Sequence, residues 1–521
     1  MPGHALAPSV PIGVVGAGTM GSGIAQVAAV AGHEVRLYDV LPGAAASAIE
    51  RIHGHVDRMV AKDRLTAPDG DAAKARLRPV QALADLAGCG LVIEAALEEL
   101  SVKRELFTEL EKVCGDDAVL ASNTSTFSIT AIAAGLQRPE RVVGMHFFNP
   151  APLMALVEVP AGAATSEAVA EQVFDTATAW GKTPVRCTST PGFVVNRVAR
   201  PFYGEALQVL EDGAADCATI DAVLRESGGF RMGSFELADL VGNDVNLAVG
   251  RSVWEQTFGD PRYAPSTRQQ ALVDAGWMGR KSGRGWYTYD DESPEPATEQ
   301  PRPAPERVVY HGGFATCYGL LDRIVAGGVS VERYLTGASG ARNGSDDFDP
   351  SEIAYGVELP SGGLVIETTG EPVSMDGDAV SLDWVGDAAN ATRVCLAPSD
   401  ACEPNTLAEA IGLFQAASLA VTVIDDVPGL VVARTVSMLV NEAVDLVARG
   451  EAAAADVDTA MRLGTGYPRG PLAWGDEVGA GLVVDVLTEL ARAYPSGRYR
   501  PSPMLIRAAR AGRPLVSLAR R

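Results

Sequence analysis

The 521-residue chain has no apolar run near the length needed to span a bilayer. Its start, MPGHALAPSVPIGVVGAG, lacks a basic n-region and an unbroken apolar core, because Gly16 and Gly18 interrupt it early. A cytoplasmic protein without a leader is therefore expected. Basic residues are outnumbered, 43 Lys and Arg against 66 Asp and Glu, for a formal charge of −23. That is the reverse of the basic footprint of a general nucleic-acid binder. Cysteines number seven, with no C-x-x-C pair and no zinc-type Cys/His spacing; they read as reduced intracellular thiols, and no metal is expected. Histidines number six, and beyond His146 there is only His311.

At 47% hydrophobic residues the chain can bury several cores, and its length suggests three or four domains. Residues 11 to 185 alternate apolar strands (PIGVVGAG, EVRLYDV, LVIEAA, AVLASNTS, RVVGMHFF, LVEVPAG) with helical stretches, the rhythm of a doubly wound α/β domain. From Pro191 the strand signals stop and helical patterns take over, ending in the glycine-rich GRKSGRGWYTYDD. DESPEPATEQPRPAPE, residues 291 to 306, has a linker composition. Residues 307 to about 405 are strand-like again without a G-x-G-x-x-G, and about 406 to 521 read as helical.

RCTSTPGFVVNRVARPFYGEA (186 to 206) aligns without a gap on VIDDVPGLVVARTVSMLVNEA (423 to 443), an offset of 237 residues. At the same offset Glu205 meets Glu442, Asp221 meets Asp458, and Gly233, Asp239 and Gly242 meet Gly470, Asp476 and Gly479. A frame held this long is a duplicated helical domain. In the second copy Ala433 stands where the first has Asn196.

Gly16-Ala17-Gly18-Thr19-Met20-Gly21 follows the apolar run Ile12 to Val15 and opens a helix, and Asp39 ends the next strand. In that context Gly16 makes the tight turn, Gly18 admits the diphosphate to the backbone, and Gly21 lets helix pack on strand. The diphosphate rests on the helix N-terminus and Asp39 accepts hydrogen bonds from the adenine ribose. A carboxylate there repels a 2′-phosphate, so NAD is favoured over NADP. His146 ends an apolar strand, and Glu158 lies between Val157 and Val159 of another. The pair reads either as a general base oriented by a carboxylate or as a core histidine capped by one. Ser125, in SNTST, lies at a strand end where α/β sheets place ligands, and reads equally as a helix N-cap. Asn196, just after Pro191-Gly192, is ambiguous on its own.

The set VGAGTMGSGIA, VIEAALEELSVK, SNTST, HFFNP and PGFVVNR resembles the L-3-hydroxyacyl-CoA dehydrogenase family over residues 10 to 290. The resemblance implies a Rossmann-type NAD-binding domain (1–187) followed by an all-α domain (188–290). After the linker come a degenerate Rossmann-like segment (307–425) and a second, non-catalytic helical domain (426–521). It implies that His146 takes the proton from the substrate 3-hydroxyl, that Glu158 holds the imidazole, and that Ser125 and Asn196 hydrogen-bond the reacting oxygen or the thioester region. Cofactor contacts carry over to Glu98, Lys103, Ser125, Asn149 and Lys281; the bland alternative is a solvated helix face for Glu98 and Lys103 and a surface lysine in a glycine turn for Lys281. For coenzyme A, Lys62 matches a family lysine; His55, Arg58 and Lys62 share one helix face, though the family often has serine at position 55. An ordinary mixed-charge surface is the alternative.

The family's short members dimerise through the helical domain, and in long members the duplicate stands in for the partner. Residues 191–285 are thus expected to pair with 428–521 in one chain, as a monomer with an internal pseudo-dimer or as a homodimer. With eleven residues before the first strand, a fused hydratase is not expected there. A non-catalytic NAD(H)-binding or redox-sensing protein is the competing reading, opposed by the intact Ser125, His146, Glu158 and Asn196.

Overall fold

The computed structural model describes residues 3–289, 294–334, 355–375 and 377–519. The chain forms two compact units. One comprises Met1–Arg197 with Leu446–Thr465 and Leu518–Arg521; the other comprises Val198–Asp445 with Gly466–Ser517. No helix among the described residues is long and apolar enough to cross a membrane.

The first unit is built on six parallel strands: β1 (Ile12–Val15), β2 (Val35–Tyr38), β3 (Leu77–Pro79), β4 (Leu91–Glu94), β5 (Val119–Ser122) and β6 (Val142–Gly144). Their order is β3-β2-β1-β4-β5-β6, so the direction of winding reverses between β1 and β4. Strands such as IGVV and VLAS are buried at every position, as a parallel sheet covered on both faces requires. The run RVVGMH, which reads as one strand, is two. Met145 separates β6 from β7 (His146–Phe147), which joins a second sheet with β8 (Leu156–Ala161) and β9 (Thr183–Thr188). β7 is antiparallel to β8 with His146 opposite Glu158, and β8 is parallel to β9.

The second unit holds the first helical set, from Arg200–Glu211 to Thr267–Asp274, a seven-stranded mixed sheet, and most of the second helical set. The sheet strands are β10 (Arg307–Gly312), β11 (Ser330–Arg333), β12 (Gly356–Glu358), β13 (Leu364–Glu367), β14 (Ala379–Leu382), β15 (Arg393–Pro398) and β16 (Ala420–Val423), in the order β11-β10-β12-β13-β14-β15-β16. β16 corrects the expectation that everything beyond residue 406 is helical. The linker expectation also changes, although residues 291–293 lie outside the described ones. Residues 294–306 are strapped along the sheet: Glu299 N donates to Val421 O (2.8 Å), Arg302 N to Gln415 (2.7 Å), and Thr422 Oγ1 to Ala297 O (2.7 Å). Proline-rich chain has few N–H groups to satisfy, and these donors find partners on the edge strand and the helix Pro404–Ala416.

The duplication is visible element by element. Shifted by 237 residues, Ser234–Val241 falls on Pro471–Val478 and Asn243–Gln256 on Ala480–Ala493. The frame also extends upstream of the sequence match, since β8 falls on β15 and the helix Glu167–Ala179 on Pro404–Ala416. Within the second unit the two helical sets hold each other reciprocally. An Arg-Tyr pair of the first set, Arg262 and Tyr263, donates to the buried Glu442 of the second, with Arg262 Nη1 3.3 Å from Glu442 Oε2. The Arg-Tyr pair of the second set, Arg498 and Tyr499, 236 residues on and so one residue short of the frame, donates to the buried Glu205 of the first, at 2.7 and 2.9 Å. Arg434 Nε adds a third donor to Glu205 at 3.3 Å. Such two-way pairing is the signature of an isologous interface, here inside one chain.

Removing one partner of a buried charge cluster leaves the others uncompensated. Glu205→Gln strands Arg434 and Arg498 beside a neutral amide, and we expect a loss of about 3–5 kcal/mol, read as a lowered urea midpoint by tryptophan fluorescence. A midpoint equal to that of the parent would show that the pairing does not hold the helical sets together.

Candidate active site

The glycine loop leaves β1 with Gly16 at φ 106°, where a Cβ would lie 2.4 Å from Ala95 O. A Cβ on Gly21 would lie 1.9 Å from Gly16 O, so that glycine is the contact between helix and turn. Gly18 has nothing within 4 Å of its Cβ position and faces open space. Thr19 and Met20 begin the helix Thr19–Val30, and no side chain caps its N-terminus. That free backbone cradle fits a diphosphate. Asp39, past the end of β2, accepts from Ala17 N (2.7 Å) and Leu41 N (2.9 Å), which aims its carboxylate at the loop. Arg51, on the helix Ala44–Ala61, donates to Ala17 O at 3.3 Å and sets an exposed guanidinium beside the cradle. The sequence gives no signal for it, because only the packing of that helix brings residue 51 to the loop.

At the ends of β4 and β5 a buried network holds the SNTST loop. Glu94, fully buried, accepts from Lys103 Nζ (2.7 Å) and Ser122 Oγ (2.6 Å). Lys103 also pairs with Glu98 at 2.9 Å. Glu98 Oε1 accepts from Thr124 Oγ1 (2.6 Å), Thr126 Oγ1 (2.7 Å) and Ser125 N (3.1 Å). Burial raises the Glu98 carboxyl pKa, but the Lys103 ammonium and the threonine hydroxyls outweigh it and leave it lowered. Lys103 is only 1% exposed, so the solvated-face reading of this residue does not hold. Ser125 is not a helix N-cap either; Ser128 precedes the helix Ile129–Ala133, and the half-buried Ser125 hydroxyl makes no hydrogen bond among the described residues. Asn123 Oδ1 accepts from Phe147 N at 2.8 Å, tying this loop to the strand of His146.

His146 Nδ1 lies 2.7 Å from Glu158 Oε2, both side chains buried. The other carboxylate oxygen accepts from Val194 N (3.1 Å) and Val195 N (2.8 Å). Those amides open the short helix Val195–Val198, which carries Asn196 and follows Gly192 and Phe193 at φ 76° and 48°. One carboxylate therefore fixes both the imidazole and the asparagine turn. With Nδ1–H committed to Glu158, Nε2 is the nitrogen left to accept a proton. The rings of Phe148 and Phe193 stand edge-on to the imidazole at 4.7 and 5.7 Å.

The same frame shows what the copy has become. At the 237-residue offset His146 corresponds to Asp383, Glu158 to Cys395 and Asn196 to Ala433. Asp383 reaches the copied helix directly, accepting from Val431 N (3.0 Å), Val432 N (2.7 Å) and Ala433 N (3.0 Å). Burial pushes its carboxyl up to about 6 despite these donors. The turn geometry persists, with Gly429 and Leu430 at φ 67° and 44°. Among the described residues the copied sheet does not repeat the parallel pairing at which the first sheet reverses its winding. β12 runs antiparallel to both β10 and β13, whereas β1 and β4 are parallel. The loop amides of Ala315 and Thr316 after β10 are already taken by the buried carboxylate of Glu367.

Other expected contacts lie further out. Asn149 is exposed beside His146's strand. His55 and Lys62 are exposed on and just past the helix Ala44–Ala61. Lys281 belongs to the second unit, where its ammonium pairs with Asp244 at 2.5 Å.

Three family models match the chain. The "3-hydroxyacyl-CoA dehydrogenase, NAD binding domain" covers residues 11–190, and the "3-hydroxyacyl-CoA dehydrogenase, C-terminal domain" matches twice, at 192–289 and 429–516. A "3-hydroxybutyryl-CoA dehydrogenase reduced Rossmann-fold domain" matches 368–428. The chain is 42% identical over 498 residues to 3-hydroxyadipyl-CoA dehydrogenase of Escherichia coli (strain K12), covering 95% of this chain and 96% of that one. It is 39% identical to the human mitochondrial hydroxyacyl-coenzyme A dehydrogenase, over 53% of this chain and 90% of the other. A crystal structure of 3-hydroxybutyryl-CoA dehydrogenase from Escherichia coli K12 superposes with a TM-score of 0.85 at 40% identity, covering 96% and 98% of the two chains.

Because Glu98 is lowered, the loop it holds is expected to stay ordered down to pH values below the usual carboxylate range, and to loosen only as pH falls through its folded pKa. Lys103→Met removes the cation and lets burial raise that pKa. The acid limb of kcat/KM for NADH-linked acetoacetyl-CoA reduction should then move to higher pH. Reduction consumes a proton, so protonation of an acid–base histidine favours this direction at low pH and does not impose the limb. Superposable limbs for parent and variant would refute the assignment.

Proposed function

The chain belongs to the 3-hydroxyacyl-CoA dehydrogenase family, and from that premise we propose that His146 is the general base of its reaction. As a member it is an NAD-dependent dehydrogenase that oxidises 3-hydroxyacyl-CoA to 3-ketoacyl-CoA. Bound NAD supplies the hydride acceptor. The observation that carries the proton-transfer assignment is the 2.7 Å His146–Glu158 pair, whose second oxygen grips the Asn196 turn. Nε2 removes the proton of the 3-hydroxyl as charge builds on the imidazole, and the buried Glu158 carboxylate stabilises that charge. Ser125 and Asn196 hydrogen-bond the reacting oxygen or the thioester carbonyl. Glu98, with Lys103 behind it, holds the serine loop; Asp39 selects the ribose hydroxyls, and Arg51 meets the diphosphate at Gly18. Asn149 adds to the cofactor contacts, and His55 and Lys62 receive the anionic CoA.

We assign a cytoplasmic location and a monomer with an internal pseudo-dimer, in which the second helical set takes the place of a partner's. The reciprocal Arg-Tyr/Glu pairing supports this arrangement. For the acyl group we choose 3-hydroxyadipyl-CoA, for which a relative matching along 95% of this chain is named. The solved structure that matches along 96% of it is named for the shorter 3-hydroxybutyryl-CoA, so the two acyl groups are the alternatives to be compared.

His146→Gln should retain NADH binding and lose about 10²–10⁴-fold in kcat, measured by NADH formation from 3-hydroxybutyryl-CoA. Turnover within a few-fold of the parent would remove His146 from the mechanism. A panel of C4 to C16 and dicarboxylic 3-hydroxyacyl-CoA substrates tests the acyl assignment. A kcat/KM for 3-hydroxyadipyl-CoA below that for the monocarboxylic C6 compound counts against it.

A further inference from the structure

The second helical set does more than fill the place of a subunit. Its residues Leu446–Thr465 belong to the same compact unit as the catalytic residues, and they build directly onto the strand that leads into PGFVVNR. Ala452 forms an antiparallel bridge with Cys187 of β9, and Thr188 N donates to Glu451 O at 2.8 Å. The side chain of Glu451 then turns to the catalytic turn itself. Its carboxylate accepts from Thr190 Oγ1 (3.3 Å), just before Pro191-Gly192, and from Arg197 Nη1, just after Asn196. Arg197 is 2% exposed, so this is a desolvated, charge-assisted contact, of the kind that fixes geometry strongly. On the other side of the turn, Gly464 presses against Val195 and Leu156, with 2.9 Å between its Cβ position and either side chain. Asn196 is thus bracketed by Val195 and Arg197, both held by the copy.

The symmetry of the molecule separates a general packing role from a specific one. The backbone contact is duplicated, since Asp425 N donates to Ala214 O as Thr188 N does to Glu451 O. The arginine is duplicated as well, because Arg434 stands at the position of Arg197. The acids differ in place. At the matching position the residue facing the non-catalytic turn is Ala214, and Arg434 there is met instead by Glu205 and Asp212 of the first helical set, at 3.3 and 3.5 Å. Glu451 also takes the hydroxyl of Thr190 just before the Pro-Gly turn, a contact the second turn cannot repeat because Val427 stands at that position.

We infer that Glu451, from the non-catalytic repeat, is a positioning residue that sets Asn196 against the substrate through Arg197 and Thr190. The inference rests on the role given above to Asn196. It treats the duplication as a contribution to the active site rather than as a scaffold alone.

The test is a cycle of Glu451→Gln and Asn196→Ala in the full-length enzyme, assayed with 3-hydroxybutyryl-CoA and NAD, with Glu451→Asp as the conservative control. Glu451→Gln is expected to lower kcat about 10-fold or more, as small misplacements do, with KM for NAD unchanged. Glu451→Asp should recover part of the loss. In the Asn196→Ala background, Glu451→Gln should have little further effect. A lowered thermal midpoint with parental kcat would reduce Glu451 to a docking residue and overturn the inference. A normal loss in Asn196→Ala with an undiminished effect of Glu451→Gln in that background would overturn it alone. Parental turnover in Asn196→Ala by itself would overturn the asparagine's role and this inference together.

Discussion

The carboxylate of Glu158 is the point on which the catalytic unit turns. One oxygen meets the imidazole of His146 and the other meets the first amides of the helix bearing Asn196. A fully buried carboxylate needs several donors to repay its desolvation, and here one is the His146 imidazole and two are amides at the head of the helix bearing Asn196. The base and the asparagine therefore cannot be displaced independently. A shift of β8 moves both, and the His146 rotamer is locked by the same bond that fixes its tautomer. The SNTST loop joins this arrangement through Asn123 and Phe147, so Ser125 is referred to the same strand pair.

The copy shows which part of this design is structural. A helix that opens at a Pro-Gly turn inside a protein presents unsatisfied amides, and some acceptor must meet them. In the copy Asp383, standing at the position of His146, does so in one step, with the carboxylate touching three amides. Cys395 then has nothing to bridge, and burial holds its thiol well above its ordinary pKa. The catalytic version is the longer solution, an acid one strand further away with an imidazole placed before it. Losing the imidazole was compatible with the fold because the helix kept its acceptor. The copied sheet tells the same story, with Glu367 supplying internally the negative charge that the glycine loop of the first unit leaves open.

Much of this was legible in the sequence because it is carried by local pattern. The glycine loop with Asp39, the apolar strands bearing His146 and Glu158, and the repeated P-G-x-V-V-x-R turn all have fixed spacing. What escaped depends on side-chain direction or on distant pairing. Lys103 sits in an amphipathic charged helix, and nothing in its neighbours says that it alone turns inward to two glutamates. Asp383 and Cys395 share no residue type with His146 and Glu158, so only the unbroken frame identifies them. Residues 294–306 have the composition of a free linker, yet their few amides and carbonyls are used along an edge strand. Composition reports the cost of ordering a segment but not the partner that meets it.

The reciprocal clusters explain why a repeat that lost its chemistry has kept its interface. Glu205 and Glu442 are buried, and each is met by an Arg-Tyr pair from the other helical set. Changing either acid strands arginines contributed by the opposite copy, so the two sets constrain each other as two identical subunits would. In a homodimer, however, any substitution appears on both sides of the twofold. Fusion into one chain removes that restriction. Glu451 and Ala214 differ although they occupy equivalent places, as do Asn196 and Ala433. A carboxylate can then stand at one of two equivalent positions without being forced on the other. The shared interface stays symmetric where it carries stability and is free to become asymmetric where it meets the site.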